Sequence, residues 1–323
     1  MATYKGIQGY SVQKLSSDPT ASEAVGQLWY NSASGKFKIA VAGAGAWAVG
    51  NNVLTGRSEP GGAGTQTAGL IFAGEPPNTG KTEKYDGTSW TEVNDLLTVR
   101  FAPGGGGTQT AAMCVGGQPT PSVSTASETW NGTSWTEGNN ILTPRGRAAA
   151  SQSGTTTAML FFGGTTNSIL IYDLTETWNG TSWTETADLN EGRFYLGGVG
   201  TSTAALAIGG EQGQPDPQKF TEEWNGTSWT EVLDLNTARG QISSAGSTTA
   251  ALAFGGLPGA SAATEKWDGT SWTEVGDLAA ARNEAAGIGT SSLALCAAGN
   301  PAPAPSTEEW NDPVYTIKTV TVS

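Results

Sequence analysis

The chain has 323 residues, a formal net charge of −13, 14% charged side chains and no histidine. The acidity argues against a nucleic-acid groove or an anionic membrane surface as partner. The missing imidazoles remove Ser-His-Asp and Cys-His nucleophiles, His metal triads and imidazole acid–base chemistry.

Residues 1–46 follow no repeat. Met1 to Gly6 lack the apolar core of a signal peptide, and no apolar run in the chain approaches the ~18 residues of a membrane span. Leu15-Ser-Ser-Asp-Pro19 reads as an extended segment and turn. Gly26-Gln-Leu-Trp-Tyr-Asn31 and Lys36-Phe-Lys-Ile-Ala40, joined through Gly35, read as a hairpin. These two strings resemble the N-terminal attachment module of tail and fibre proteins of marine bacteriophages. A plain cap on the open edge of the following domain is the structural alternative.

From Trp47 onward the chain is periodic. Trp-Asn-Gly-Thr-Ser-Trp-Thr-Glu stands at 130–137, 178–185 and 224–231, with variants at 85–92 and 267–274, and the second tryptophans lie 45, 48, 46 and 43 residues apart. Such a period defines a repeat architecture. In the unit from Arg239, Gly240 to Ala245 is predicted as a first strand and Thr249 to Phe254 as a second. Thr264 to Trp267 is the third and Ser271 to Val275 the fourth, with Asp268-Gly269 as a tight hairpin turn. Four antiparallel strands per ~45 residues make a propeller blade. An arginine lies ten residues after each fourth-strand tryptophan: Arg57, Arg100, Arg145, Arg193, Arg239 and Arg282. The reading is an all-β, six-bladed β-propeller over residues 47–323, preceded by a short β-hairpin attachment segment over 1–46. The paired tryptophans are expected to fill the wide outer gaps between blades.

The diglycine after the second strand, the third-strand aromatic, the fourth-strand Trp and the following Arg resemble the Kelch repeat over residues 47 to 315. Ala73-Gly74 and Ala298-Gly299 replace the diglycine in the first and last units, and the third-to-fourth hairpin is tighter than is usual for Kelch, which suggests a phage or environmental branch. Two closures fit the chain: Ala46 to Val49 pairing with Thr307 to Trp310, or Val314 to Val320 as the last fourth strand with Tyr315 in the tryptophan's place.

Cys114 and Cys296 occupy equivalent strands of non-adjacent units, so two buried reduced thiols are expected. The arginine ring offers an anion site, but one third-strand glutamate per unit (Glu83, Glu128, Glu176, Glu222, Glu265, Glu308) favours structural pairs. Asp95, Asp188, Asp234 and Asp277 lack the oxygen spacing calcium needs. Asn131, Asn179 and Asn225 fit the glycosylation triplet, but the hairpin already explains them. No pair of carboxylates stands out from the repeat as a glycosidase would require. No cofactor, metal or catalytic residue is expected.

The loops between second and third strands vary freely and share one face. Their odd apolar or charged members are the candidate contacts: Ile169, Leu170, Ile171, Tyr172, Asp173, Lys219 and Phe220; packing on neighbours is the other role open to them. The resemblance implies a non-enzymatic virion protein. It would fold in the host cytoplasm, attach through residues 1–46, oligomerise in the particle, and touch a host glycan or other virion proteins, with no nucleic acid and no membrane insertion. A Kelch-like interaction scaffold or lectin, and a propeller glycosidase, are the alternatives.

Overall fold

In the computed structural model the described residues are 12–321, apart from 22, 167–169, 214, 302–304 and 313. They contain strands and turns and no helix. The chain divides into two units, residues 46–311 and a smaller one made of 1–45 with 312–323.

The larger unit holds six four-stranded antiparallel sheets. The second, for example, runs Gly104–Thr108, Ala111–Val115, Ser127–Trp130 and Trp135–Glu137. First strands touch first strands from sheet to sheet, and Ala286–Gly289 of the sixth touches Gly61–Thr65 of the first, so the ring is closed. The sixth sheet borrows its outer strand from the beginning of the unit: Ala46–Gly50 pairs with Thr307–Asn311, Trp47 opposite Trp310. That is the first of the two closures the sequence allows.

Small residues crowd the axis. A Cβ on Gly105 would lie 2.8 Å from the backbone N and O of Gly62, and one on Gly287 would strike the Ser244 carbonyl oxygen. The gaps between sheets widen outward and are filled by aromatic residues. Leu70 and Phe72 pack on Trp130 and Trp135 of the next sheet, Leu160 and Phe162 on Trp224 and Trp229, and Leu206 and Ile208 on Trp267 and Trp272. The expected role of the paired tryptophans is met. Each pair also sits cross-strand, as Trp130 on Trp135 with ring centroids 5.4 Å apart.

Every junction is fastened by a buried ion pair. Arg239 Nη2 lies 2.9 Å from Glu265 Oε1, with both side chains about 1% exposed. Arg239 Nη1 also donates to the carbonyls of Gly255 and Ala263, and Glu265 Oε2 accepts the Asn236 backbone N–H at 2.7 Å. Arg57–Glu83, Arg100–Glu128, Arg145–Glu176, Arg193–Glu222 and Arg282–Glu308 repeat the pairing. A charge so deeply buried persists only when paired and hydrogen-bonded. The guanidinium satisfies the carbonyl exposed where the second strand ends in a left-handed turn. Gly116, Gly163, Gly209 and Gly255 take that turn with φ between 57° and 68°; Ala73 and Ala298 take it with φ 65° and 61°. The end units therefore keep the geometry while lacking the residue suited to it.

In the smaller unit, Leu28–Asn31 and Lys36–Gly43 form the expected hairpin. Gln13–Leu15 adds to it in parallel and Val314–Thr319 antiparallel. Residues 312–323 thus group with the N-terminal segment, although the periodicity placed them with the propeller. Buried Trp29 donates to Asp18 Oδ1 at 3.0 Å, as does Asn31 at 2.5 Å, and these bonds hold the Asp18 carboxyl below its usual range.

Candidate functional site at the axial mouth

The connection from each sheet to the next descends past the buried arginine and turns into the first strand two residues later. Those turn residues are Glu59, Ala102, Arg147, Tyr195, Gln241 and Glu284, all with φ between 51° and 57°. Non-glycine residues rarely adopt this conformation. A chain of backbone bonds over-determines it here. Ala102 N–H donates to Glu59 O, Arg147 to Ala102 O, Tyr195 to Arg147 O, Glu284 to Gln241 O and Glu59 to Glu284 O, at 2.8–3.0 Å. Five of the six junctions are linked in this way around the axis.

The six side chains share one backbone geometry but no common chemistry. With the next layer of Pro60, Pro103, Ala148, Leu196, Ile242 and Ala285 they enclose a cavity of about 110 Å³. The Tyr195 hydroxyl donates to Glu59 Oε1 at 2.6 Å. Arg147 Nε lies 3.5 Å from Glu59 Oε2, and its guanidinium sits over the Tyr195 ring at 4.8 Å and the Phe101 ring at 5.8 Å. Outside this ring, Glu211 is 2% exposed and accepts no hydrogen bond through its carboxylate among the described residues. It lies across Gly240, where any side chain would collide with it.

Burial disfavours charge throughout this cluster. It raises the proton affinity of Glu59, which Arg147 and Tyr195 oppose. It pushes Glu211 up to about 7, and together with the nearby Glu59 charge it pushes Glu284 up to about 8. Burial and the Glu59 charge keep Tyr195 in its hydroxyl form. Shifted groups converging on one cavity mark a candidate functional site on physical grounds. Below the mouth the axis narrows between glycines and alanines and is crossed by Gln152, whose Nε2 donates to Ser244 O and Gly287 O at 2.9 Å each.

This corrects the expectation that no carboxylate pair leaves the repeat register: Glu59 and Glu284 occupy successive ring positions. The sequence pattern does not reveal them, because Gly240 to Ile242 alternates like a strand, whereas the strand begins at Ser243 and Gln241 is turned to positive φ. The available signal was the residue two after each arginine, which reads Glu, Ala, Arg, Tyr, Gln, Glu at a fixed place in the repeat.

The predicted loop contacts lie on the same face, since bridges such as Phe194 with Glu211 and Gly146 with Thr165 join the two sets of connections. Ile169 lies outside the described residues. Leu170 and Ile171 form a two-residue strand paired with Thr165–Thr166, and Leu170 is 56% exposed. Tyr172 is half-buried and its carbonyl accepts the Arg193 N–H, while the carbonyl of exposed Asp173 accepts the Leu189 N–H. Lys219 is exposed and pairs with Asp234 at 3.3 Å. Phe220 is half-buried, and its carbonyl accepts from Arg193 at 2.7 Å. The loop candidates and the axial ring are therefore separate sets on one face.

Elsewhere, Cys114 and Cys296 are free and buried in different inter-sheet cores, and burial pushes both thiols up to about 12. Among the described residues no group of three or more Asp, Glu or Cys could hold a metal ion. The Asn131, Asn179 and Asn225 side chains accept the N–H groups two and three residues on, as turn residues do.

No family model matches the sequence, and no curated protein does. Among solved structures the chain is similar to one titled "Structure of YjhT", a propeller-type fold, at 12% identity over 83% of this chain and 99% of that one, with a TM-score of 0.68. The likeness and the repeated four-stranded sheets show a β-propeller.

Proposed function

We propose that the protein is a non-enzymatic recognition and attachment protein. In this reading its Kelch-like propeller presents one chemically diversified face to a host-surface glycan or to other proteins of a bacteriophage particle, and its smaller β-unit holds it there. The carrying observation is the axial ring: six positions with identical backbone geometry carry acid, base, aromatic, amide and methyl groups. A scaffold that repeats everything except the residues on one face separates stability from recognition. Exposed Leu170 and the paired Thr165–Thr166 and Leu170–Ile171 strands extend that face. The test is binding of the purified chain to envelope polysaccharide of candidate hosts, together with imaging of particles. Saturable binding reduced by Arg147→Ala and Leu170→Asp supports the proposal. Absence of any particle density, with the chain free in lysate, overturns the virion part.

A glycosidase is favoured by one observation, the Glu59–Glu284 pair with Glu284 held protonated near neutrality, as a general acid must be. Against it, Glu59 is already engaged by Tyr195 and Arg147. Release of aryl alcohol from aryl glycosides that disappears in both Glu59→Gln and Glu284→Gln would replace the first reading with this one.

A further inference from the structure

We propose that the outer edge of Val314–Thr319 is a docking surface for a second copy of this chain, which would add its own Val314–Thr319 antiparallel to the first, centred on Ile317. The inference goes beyond the recognition reading and does not rest on it.

Val314–Thr319 is an edge strand of the sheet in the smaller unit. Lys36–Gly43 pairs with it on one side, and among the described residues no strand lies on the other. Two bonds fix its hydrogen-bond phase. Val320 N–H donates to Phe37 O at 3.0 Å, and Ala40 O is taken from the far side of its strand by Gly26 N–H at 2.9 Å. Antiparallel pairs exchange their bonds at every second residue. Residues 314, 316, 318 and 320 therefore spend their N–H and C=O groups on the neighbouring strand, and Tyr315, Ile317 and Thr319 turn theirs outward.

Such a row of groups is a template for another strand, and sheets ordinarily blunt it with short strands, prolines or bulges. This edge uses none of them. The strand has six residues without a proline, in six consecutive pairs with its neighbour. The outer strands of the propeller sheets have three to five residues. Tyr315 is 39% exposed, and Thr316, Lys318 and Thr319 are exposed too.

The strand is self-complementary, which favours a second copy over a foreign strand. Centring on Ile317 sets Tyr315 opposite Thr319 of the second copy and Thr316 opposite its Lys318. Outward groups then meet outward groups, and the one charge in the strand does not face itself. Ile317 packs on Ala24, Trp29 and Ala40, the three buried apolar residues of this unit. Pairing sets it beside Ile317 of the second copy on the same face and joins two small cores, as under-sized units commonly do by oligomerising. Charge points the same way. The smaller unit carries five lysines against Asp18, Glu23 and Asp312, a formal +2 that leaves −15 of the −13 total on residues 46–311. Two copies therefore meet at least electrostatic cost through the smaller unit.

The experiment is sedimentation velocity of the full chain across concentration. The expected result is a reversible dimer forming at about 10–100 μM, weak because one strand pair is smaller than a standard interface. Added salt should tighten it by screening the propeller charges. Thr319→Pro removes an outward N–H and leaves the inward bonds in place. It should weaken dimerisation about tenfold or more at an unchanged melting temperature. Oxidation of mixed Thr316→Cys and Lys318→Cys chains reads the register. These two positions would lie about 4.5 Å apart between copies, and each about 8 Å from its own counterpart, beyond disulfide reach. The mixture should cross-link and neither variant alone, since the native cysteines are buried. A chain still monomeric at the top of the concentration range overturns the proposal and leaves the edge to a foreign strand. A dimer that Thr319→Pro leaves intact overturns it, as does cross-linking of the single variants in place of the mixture. No glycan or particle enters these measurements, so their failure is distinct from failure of the attachment reading.

Discussion

Ser127 holds the strand position that is threonine at the other junctions, and there Trp183 Nε1 finds no hydrogen-bond partner. At the other junctions the outer-strand tryptophan donates to a threonine hydroxyl: Trp135 to Thr82, Trp229 to Thr175, Trp272 to Thr221, Trp47 to Thr264 and Trp90 to Thr307, at 2.9–3.2 Å. Ser127 spends its hydroxyl on the Asn139 carbonyl instead. Threonine's branched Cβ restricts χ1 and turns the hydroxyl toward the neighbouring sheet. Ser127→Thr should therefore restore the bond and stabilise the protein by about 1 kcal/mol, seen as a higher midpoint in guanidinium. An unchanged or lowered midpoint would show that the serine rotamer is not the cause.

The ion pairs are structural, so their removal acts on folding. Arg239→Met leaves Glu265 charged in a site 1% exposed and strands the Gly255 and Ala263 carbonyls. A loss of about 3–5 kcal/mol is expected, and Glu265→Gln should cost less because the amide keeps the volume and one acceptor oxygen for Arg239, although its NH2 then faces the Asn236 donors. The ordering of the two denaturation midpoints is the check, since opening of a closed ring need not be two-state.

Ala73 and Ala298 hold φ 65° and 61° where four other units place glycine at the same turn. The left-handed conformation costs an L-residue roughly 1–2 kcal/mol, and glycine's extra unfolded-state entropy returns part of it. Ala73→Gly and Ala298→Gly should each stabilise by about 0.5–1 kcal/mol. The two turns lie in sheets that are neighbours in the closed ring and share Arg57, which donates to the Ala73 carbonyl and whose own carbonyl accepts the Gly299 N–H, so the double variant's thermal midpoint should depart from the sum of the single effects.

The repeat made the scaffold legible: spacing of the tryptophans, the tight hairpin turns and the recurring arginine are local signals set by chain geometry. The closure at Trp47 and Trp310 was ambiguous because Tyr315 imitates the aromatic register, and pairing of strands some 260 residues apart leaves no local trace. The axial mouth was hidden for a sharper reason. Glu59 and Glu284 are 225 positions apart, and the turn that aims them inward looks like the first residues of a strand until the φ of Gln241 is known.

Stability should fall as pH rises from mildly acidic to alkaline, and the carboxylates of Glu211 and Glu284 are the source. Glu211 and Glu284 move from the ordinary glutamate value of 4.5 up to about 7 and about 8 on folding. Between 4.5 and those values the folded chain holds more protons than the unfolded one. Since stability changes with pH as protons bound unfolded minus protons bound folded, the slope is negative there. The contribution is complete below about pH 4.5 and lost as pH passes through 7 for Glu211 and 8 for Glu284. Glu211→Gln removes a group that must ionise without a hydrogen-bond donor, so it should flatten the decline up to about pH 7 and raise stability above it. Glu284→Gln should act about one pH unit higher. Denaturation midpoints of the three proteins from pH 5 to pH 9 decide it. A parent curve that is level across this range, or variants that track the parent in parallel, would mean that these carboxylates ionise in the folded chain as they do in water.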